Sequence, residues 1–202
     1  KTTFLLGLTT ITGVAFFLYS LMAGVSSGFI SMMALGSIIT AFIMGWVIIA
    51  KPHLGKALAI PYAILEGVVI GAISLFVTVK YPTIAPTAMV ATFVTAAVML
   101  ALYQSRVIRV TEKFRSVLIS AVIAITLVYL VQIGLSLFSS SIPYLFSGGV
   151  VAIGFSLFVV IIASLSLLLD FDNVERAKAA GVDESYEWVL SFGILSTLVW
   201  MY

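Results

Sequence analysis

Seven long apolar stretches, each close to the roughly 20 residues that a helix needs to cross a bilayer's hydrocarbon core, occupy nearly the whole chain. They run over residues 4–25, 28–50, 57–79, 87–103, 117–138, 145–169 and 188–202. Only 9% of the 202 residues are charged and 62% are hydrophobic, with a mean hydropathy of +1.26. A soluble domain is about 45–50% apolar and about 25% charged, so this chain lacks the polar residues to cover a water-facing surface. The expected fold is all-α: a polytopic membrane protein whose residues 1–202 form a single domain of seven transmembrane helices. The last run is short, and its helix is expected to continue past residue 202.

Composition also removes several chemistries. Cysteine is absent, so there is no disulfide framework, thiolate metal site or cysteine nucleophile. One histidine, His53, cannot furnish the paired histidines of a helical zinc protease site. GFSL at 154–157 lacks the second glycine of a rhomboid serine motif, no glycine–aspartate protease signature is present, and the seventh run has no lysine for a retinal Schiff base. An enzyme is not expected. A net charge of +2, carried by basic residues scattered among loops, does not point to nucleic acid. The first run leads into no soluble domain through a small-residue cleavage site, so it does not read as a removable signal peptide.

The loops carry the orientation. Lys1 precedes the first run, and Lys51, His53 and Lys56 follow the second. Arg106, Arg109, Lys113 and Arg115 follow the fourth, and Arg176 and Lys178 follow the sixth. The intervening loops hold only Lys80 and a serine-rich stretch at 139–143. Basic loops stay in the cytoplasm, so the N-terminus is expected inside and the C-terminus outside. Cysteines placed at Gly55 and Ser140 are expected to react from opposite sides.

Small residues suggest where helices approach closely. Ala59, Ala63, Gly67 and Gly71 recur every four residues on the third run, and Gly148, Ala152 and Ser156 do so on the sixth. Such ridges let backbones pack in lipid.

The acids are few and uneven. Asp170, Asp172, Glu175, Asp183, Glu184 and Glu187 fall between the last two runs, and Glu112 reads as a solvated partner of Lys113 or Arg115. Glu66 stands apart. It lies nine residues beyond Ala57, about 14 Å along a helix and near the bilayer centre. Ionisable groups at that depth are costly and usually face the bundle interior. Glu66 is expected either to tie helices together by a hydrogen bond or to lie on an ion path, with Tyr62 one turn earlier to orient it. Asp170 and Asp172 sit two apart, about 200° round a helix. Asp170 follows Leu167–Leu169 and is expected to look inward, while Asp172 is expected to meet water at the end of the helix.

The PYAILEG stretch, LLLDFDNVE at the end of the sixth run and the YEW entry to the seventh resemble the Bax inhibitor-1 family, also called YccA-like or transmembrane BAX inhibitor motif, most of all its bacterial branch. The resemblance implies a seven-helix membrane fold with the seventh helix at the centre. It also implies a calcium leak sensitive to pH, governed by acidic residues of the sixth and seventh helices. Asp170 matches the sixth-helix member and is the expected calcium or proton site; the seventh-helix member would fall beyond Tyr202.

Gating or an ion path is therefore expected at Asp170, Glu66 and Asp172. The lipid bilayer, calcium ions and protons are the expected partners, with calcium as permeant or bound ion and no other cofactor. The expected location is the bacterial inner membrane. Calcium takes oxygen ligands, cation paths commonly use acidic side chains at constrictions, and two close carboxylates titrate as a coupled pair. The alternative, implied by YccA-like relatives, is a regulatory protein that modulates a membrane protease or a cell stress response, with the acidic stretch 170–187 as its docking surface.

Overall fold

The computed structural model describes residues 1–136, 142, 145 and 148–202, and these form seven α-helices with no strand. They are α1 (Thr2–Met22), α2 (Ser27–Ala50), α3 (Gly55–Lys80), α4 (Ile84–Gln104), α5 (Glu112–Ser136), α6 (Val150–Ala180) and α7 (Glu184–Met201). A short 3-10 turn, Pro52–Leu54, leads into α3. Isoleucine and valine are abundant, yet the chain is helical because lipid offers backbone N–H and C=O groups no partners outside the segment. Six helices, all except α7, are long and apolar enough to cross a membrane. The seven expected runs thus correspond to seven helices, although the seventh meets that criterion only in expectation. Ser140 and most of the serine-rich stretch lie outside the described residues.

The main departure is the length of α6. It continues eleven residues past Leu169, so DFDNVERAKAA is helical and not a loop. Its end is set by Gly181, at φ +63°. There the N–H of Gly181 donates to the Lys178 carbonyl at 3.2 Å, and that of Val182 to the Ala177 carbonyl at 3.3 Å. This paired arrangement closes helices through a left-handed glycine. Asp170, Asp172 and Glu175 therefore belong to the body of α6, Glu184 and Glu187 to the first turn of α7, and Asp183 precedes that turn.

The chain divides into two compact units. The first comprises Lys1–Val94, Asn173–Trp200 and Tyr202. Here α1 and α3 cross in parallel where Gly13 meets Gly67 and Gly71. A β-carbon on Gly67 would sit 2.7 Å from the Thr9 carbonyl oxygen, and one on Gly71 2.6 Å from that of Gly13. Such distances leave room only for glycine. All four members of the α3 ridge, Ala59 to Gly71, are buried, and the Thr9 hydroxyl adds a 3.0 Å bond to the Ala63 carbonyl. Packing of small residues is what joins helices in a solvent as apolar as they are. Leu5, Ile48, Tyr62, Trp188, Phe192 and Leu195 fill the core beside that ridge, with Phe192 lying over Gly45 of α2.

The second unit comprises Thr95–Asp172 and Met201. Its core is a seam of Leu118 and Ile125 from α5 against Val159 and Ile162 from α6, flanked by Phe155, Leu165 and Leu169. The small residues expected to form a ridge on α6 do not form one. Gly148 precedes the helix, Ser156 is exposed, and of the three only Ala152 is buried. Branched and aromatic side chains make the α5–α6 seam instead.

Candidate functional site

The acidic residues singled out by the sequence fall in two places, one in each unit. In the second unit α6 delivers Asp170 with one residue between it and the fully buried Leu167 and Leu168, and Asp170 Oδ2 is itself enclosed. Asp170 thus looks inward, as its position after the leucines suggests. The neighbouring Phe171 ring packs against Tyr103 of α4, centroids 6.0 Å apart.

Asp172 departs from expectation. Its side chain is only 14% exposed, and its Oδ2 accepts a hydrogen bond from Arg115 Nη2 at 2.6 Å. The reason is the extended α6: where a frayed end would meet water, a continuing helix presents Asp172 to the first turn of α5. Arg115, expected beside Glu112, is drawn into this pair. Because both aspartates stand well short of Ala180, the unfavourable dipole of a helix C-terminus, which fades beyond the last turn, does not reach them.

In the first unit, Glu66 and Tyr62 stand one turn apart on α3 and within interaction distance of each other. Tyr62 donates to Ser196 Oγ of α7 at 3.3 Å, and its ring meets Phe192 edge-on, centroids 4.7 Å apart. Glu66 is half-buried and lines a cleft of about 370 Å3 between α2, α3 and α7, whose other walls include Ala41, Gly45, Trp46 and Val69. It follows eleven residues after Gly55, roughly 16 Å along the axis and near the middle of a ~30 Å hydrocarbon core. A polar triad of carboxyl, phenol and hydroxyl therefore bridges α3 and α7 inside a membrane-spanning helix.

Further groups tie α7 down, among them Thr2, whose hydroxyl donates to Ser191 Oγ at 3.1 Å. Ser74 Oγ and Tyr202 Oη lie 2.6 Å apart at its far end. At its start, Lys1 Nζ bonds Glu187 Oε2 at 2.8 Å and Glu184 Oε1 at 3.1 Å, and rests 5.5 Å from the centre of the Trp188 ring. The bond to Glu187, above all, raises the Lys1 pKa from its usual value. Arg115, Ser196, Tyr202 and Lys1 carry no local signal of these roles, since each partner is distant in sequence. Among the described residues, no three His, Cys, Asp or Glu side chains gather closely enough to hold a metal ion. Asp170 and Glu66 thus each place a carboxyl group within a long apolar helix, one in each unit.

The family described as Bax inhibitor 1 like matches residues 1–202. No curated protein and no solved structure matches the chain.

Proposed function

Because the chain belongs to the Bax inhibitor 1 like family, we propose that this integral membrane protein is a pH-sensitive calcium leak, a passive cation path rather than an enzyme. The observation that carries this reading is the enclosed Oδ2 of Asp170, close behind two fully buried leucines in a helix long and apolar enough to span a membrane. Acidic side chains within membrane helices are expensive, and they characteristically mark ion or proton pathways. Calcium and protons compete for the same oxygens, which gives one group both a permeant-ion contact and a pH response. Glu66, in its cleft near mid-membrane in the first unit, is a further carboxyl at which an ion contact is proposed.

The bilayer is the bacterial inner membrane in this reading, with the N-terminus in the cytoplasm as the basic loops demand. Gly55 is buried against Ser185 and Val189, so the labelling pair is better placed at Lys56 and Tyr81, both exposed. Cysteines there are expected to react from opposite sides.

Calcium flux into liposomes containing only the purified protein, followed across pH for the wild type and Asp170→Asn, tests the proposal. Flux that rises and falls with pH in the wild type and loses that dependence in Asp170→Asn supports it. A purified protein that carries no calcium overturns it in favour of the regulatory reading, for which the exposed Glu184 and Glu187 would be the docking face.

A further inference from the structure

A second cleft, about 450 Å3, opens on the first unit between α1, α3, α7 and the start of α4. It shares no lining residue with the Glu66 cleft. Its hydroxyls are largely committed: Ser74 and Tyr202 bond each other at 2.6 Å, and Thr9 and Thr10 bond backbone carbonyls at 3.0 and 2.8 Å. Water held in a cavity needs two to four polar partners, which this wall does not offer. An empty cleft, on the other hand, forfeits the dispersion contacts of its lining.

The dimensions suit a lipid chain. From Leu6 to Leu18 the α1 wall runs about 18 Å, close to the depth of one leaflet, about half of a ~30 Å core. Val14, Leu18 and Phe93 on the wall are each close to half exposed, so the cleft is open at its side.

One end lies at the α3–α4 turn, where Thr78 and Pro82 both line it. Between them stands Lys80, exposed, its Nζ 5.5 Å from the centre of the Tyr81 ring. Lys80 is the only charged residue in or beside the segments joining α1 to α2, α3 to α4 and α5 to α6. No carboxylate pairs with it among the described residues. A lysine on an apolar rim keeps its head at the interface, where anionic headgroups lie.

We propose that this cleft is a lipid site, taking one acyl chain of an anionic phospholipid whose phosphate is met by Lys80. The test equilibrates the detergent-purified protein with equal amounts of phosphatidylglycerol and phosphatidylcholine bearing identical chains, and counts bound lipid by native mass spectrometry. One retained lipid per chain is expected, with phosphatidylglycerol preferred about fivefold, the effect of a single lysine at a membrane surface. Lys80→Gln, an exposed change, should bring that preference close to unity while lipid is still retained. Ala85→Phe, filling the cleft from α4, should cut retained lipid about tenfold, and Val14→Phe should do the same from the α1 wall if the first variant does not fold. A wild type without retained lipid, or a folded cleft-filling variant that keeps it, overturns the site. An unchanged headgroup preference in Lys80→Gln overturns the role of Lys80. A lipid-free wild-type dimer that Ala85→Phe splits would assign the cleft to a second copy of the chain and overturn the proposal.

Discussion

Arg115 and Asp172, 57 residues apart in sequence, meet at 2.6 Å with less than a quarter of either side chain exposed. The pair fastens the first turn of α5 to α6, two residues beyond Asp170. Removing one partner of an enclosed ion pair leaves the other charge uncompensated. Arg115→Gln and Asp172→Asn are each expected to cost about 2–4 kcal/mol, read as a lower unfolding midpoint in detergent. Replacing both residues with apolar side chains should recover most of the loss; a double variant no better than either single one would show that the pair is not a unit.

The α1–α3 crossing makes a sharper claim about stability. Gly67→Ala must push the Thr9 backbone away, and overpacking of this kind costs about 1–3 kcal/mol. Gly36, exposed in the middle of α2 with nothing within 4 Å of an added β-carbon, should behave oppositely. Gly36→Ala is expected to stabilise by about 0.5–1 kcal/mol through reduced backbone freedom. Thermal midpoints moving in the same direction for both would contradict the close crossing.

Glu66 separates a tie between helices from a path for ions. Glu66→Gln preserves shape and puts a hydrogen-bonding amide in place of the carboxyl beside Tyr62, so it should fold like the wild type. If the carboxyl contacts the passing cation, calcium flux in liposomes should still fall about tenfold or more. Unchanged flux and pH response in the folded Gln variant would remove Glu66 from the mechanism. Glu66→Leu tests the tie itself, and should lower the unfolding midpoint relative to Gln.

Lys1 provides a pH test at the water interface. Its pKa is raised in the folded protein, chiefly by the bond to Glu187. A raised folded pKa means that the contribution is fully present below the unfolded value and is lost as pH rises through the folded one. Lys1→Gln should therefore lower the unfolding midpoint slightly at pH 8, and the gap to wild type should close in strongly alkaline buffer. Because the glutamates are exposed, high salt should close it too. A gap that persists under both conditions would assign the effect to packing against Trp188.

Much of the fold is written in the chain because lipid imposes one rule on every segment: a sustained apolar run must become a helix. The α3 ridge was equally legible, since glycine and alanine every fourth residue have few other uses. The same pattern misled on α6, where Gly148 precedes the helix and Ser156 faces outward. The helix end at Gly181 was missed because hydropathy falls at Asp170, whereas helicity does not. An ERAKAA segment is a good helix former in water, so the apolar run and the helix part company there. Asp170 and Glu66 announced themselves as charges in the wrong solvent. Asp172 could not, because its environment is set by Arg115 on another helix, and no local pattern encodes that meeting.

Lys1 at its entry, Tyr62 through Ser196 midway, and Ser74 through Tyr202 at its far end are among the fastenings that hold α7 to its neighbours. They differ in kind. The entry is an ionic latch wetted by solvent, which added salt weakens. The far end is a short bond between two hydroxyls within the apolar wall, which salt does not reach. A rise in ionic strength therefore slackens α7 at its Lys1 entry and leaves the Ser74–Tyr202 bond untouched.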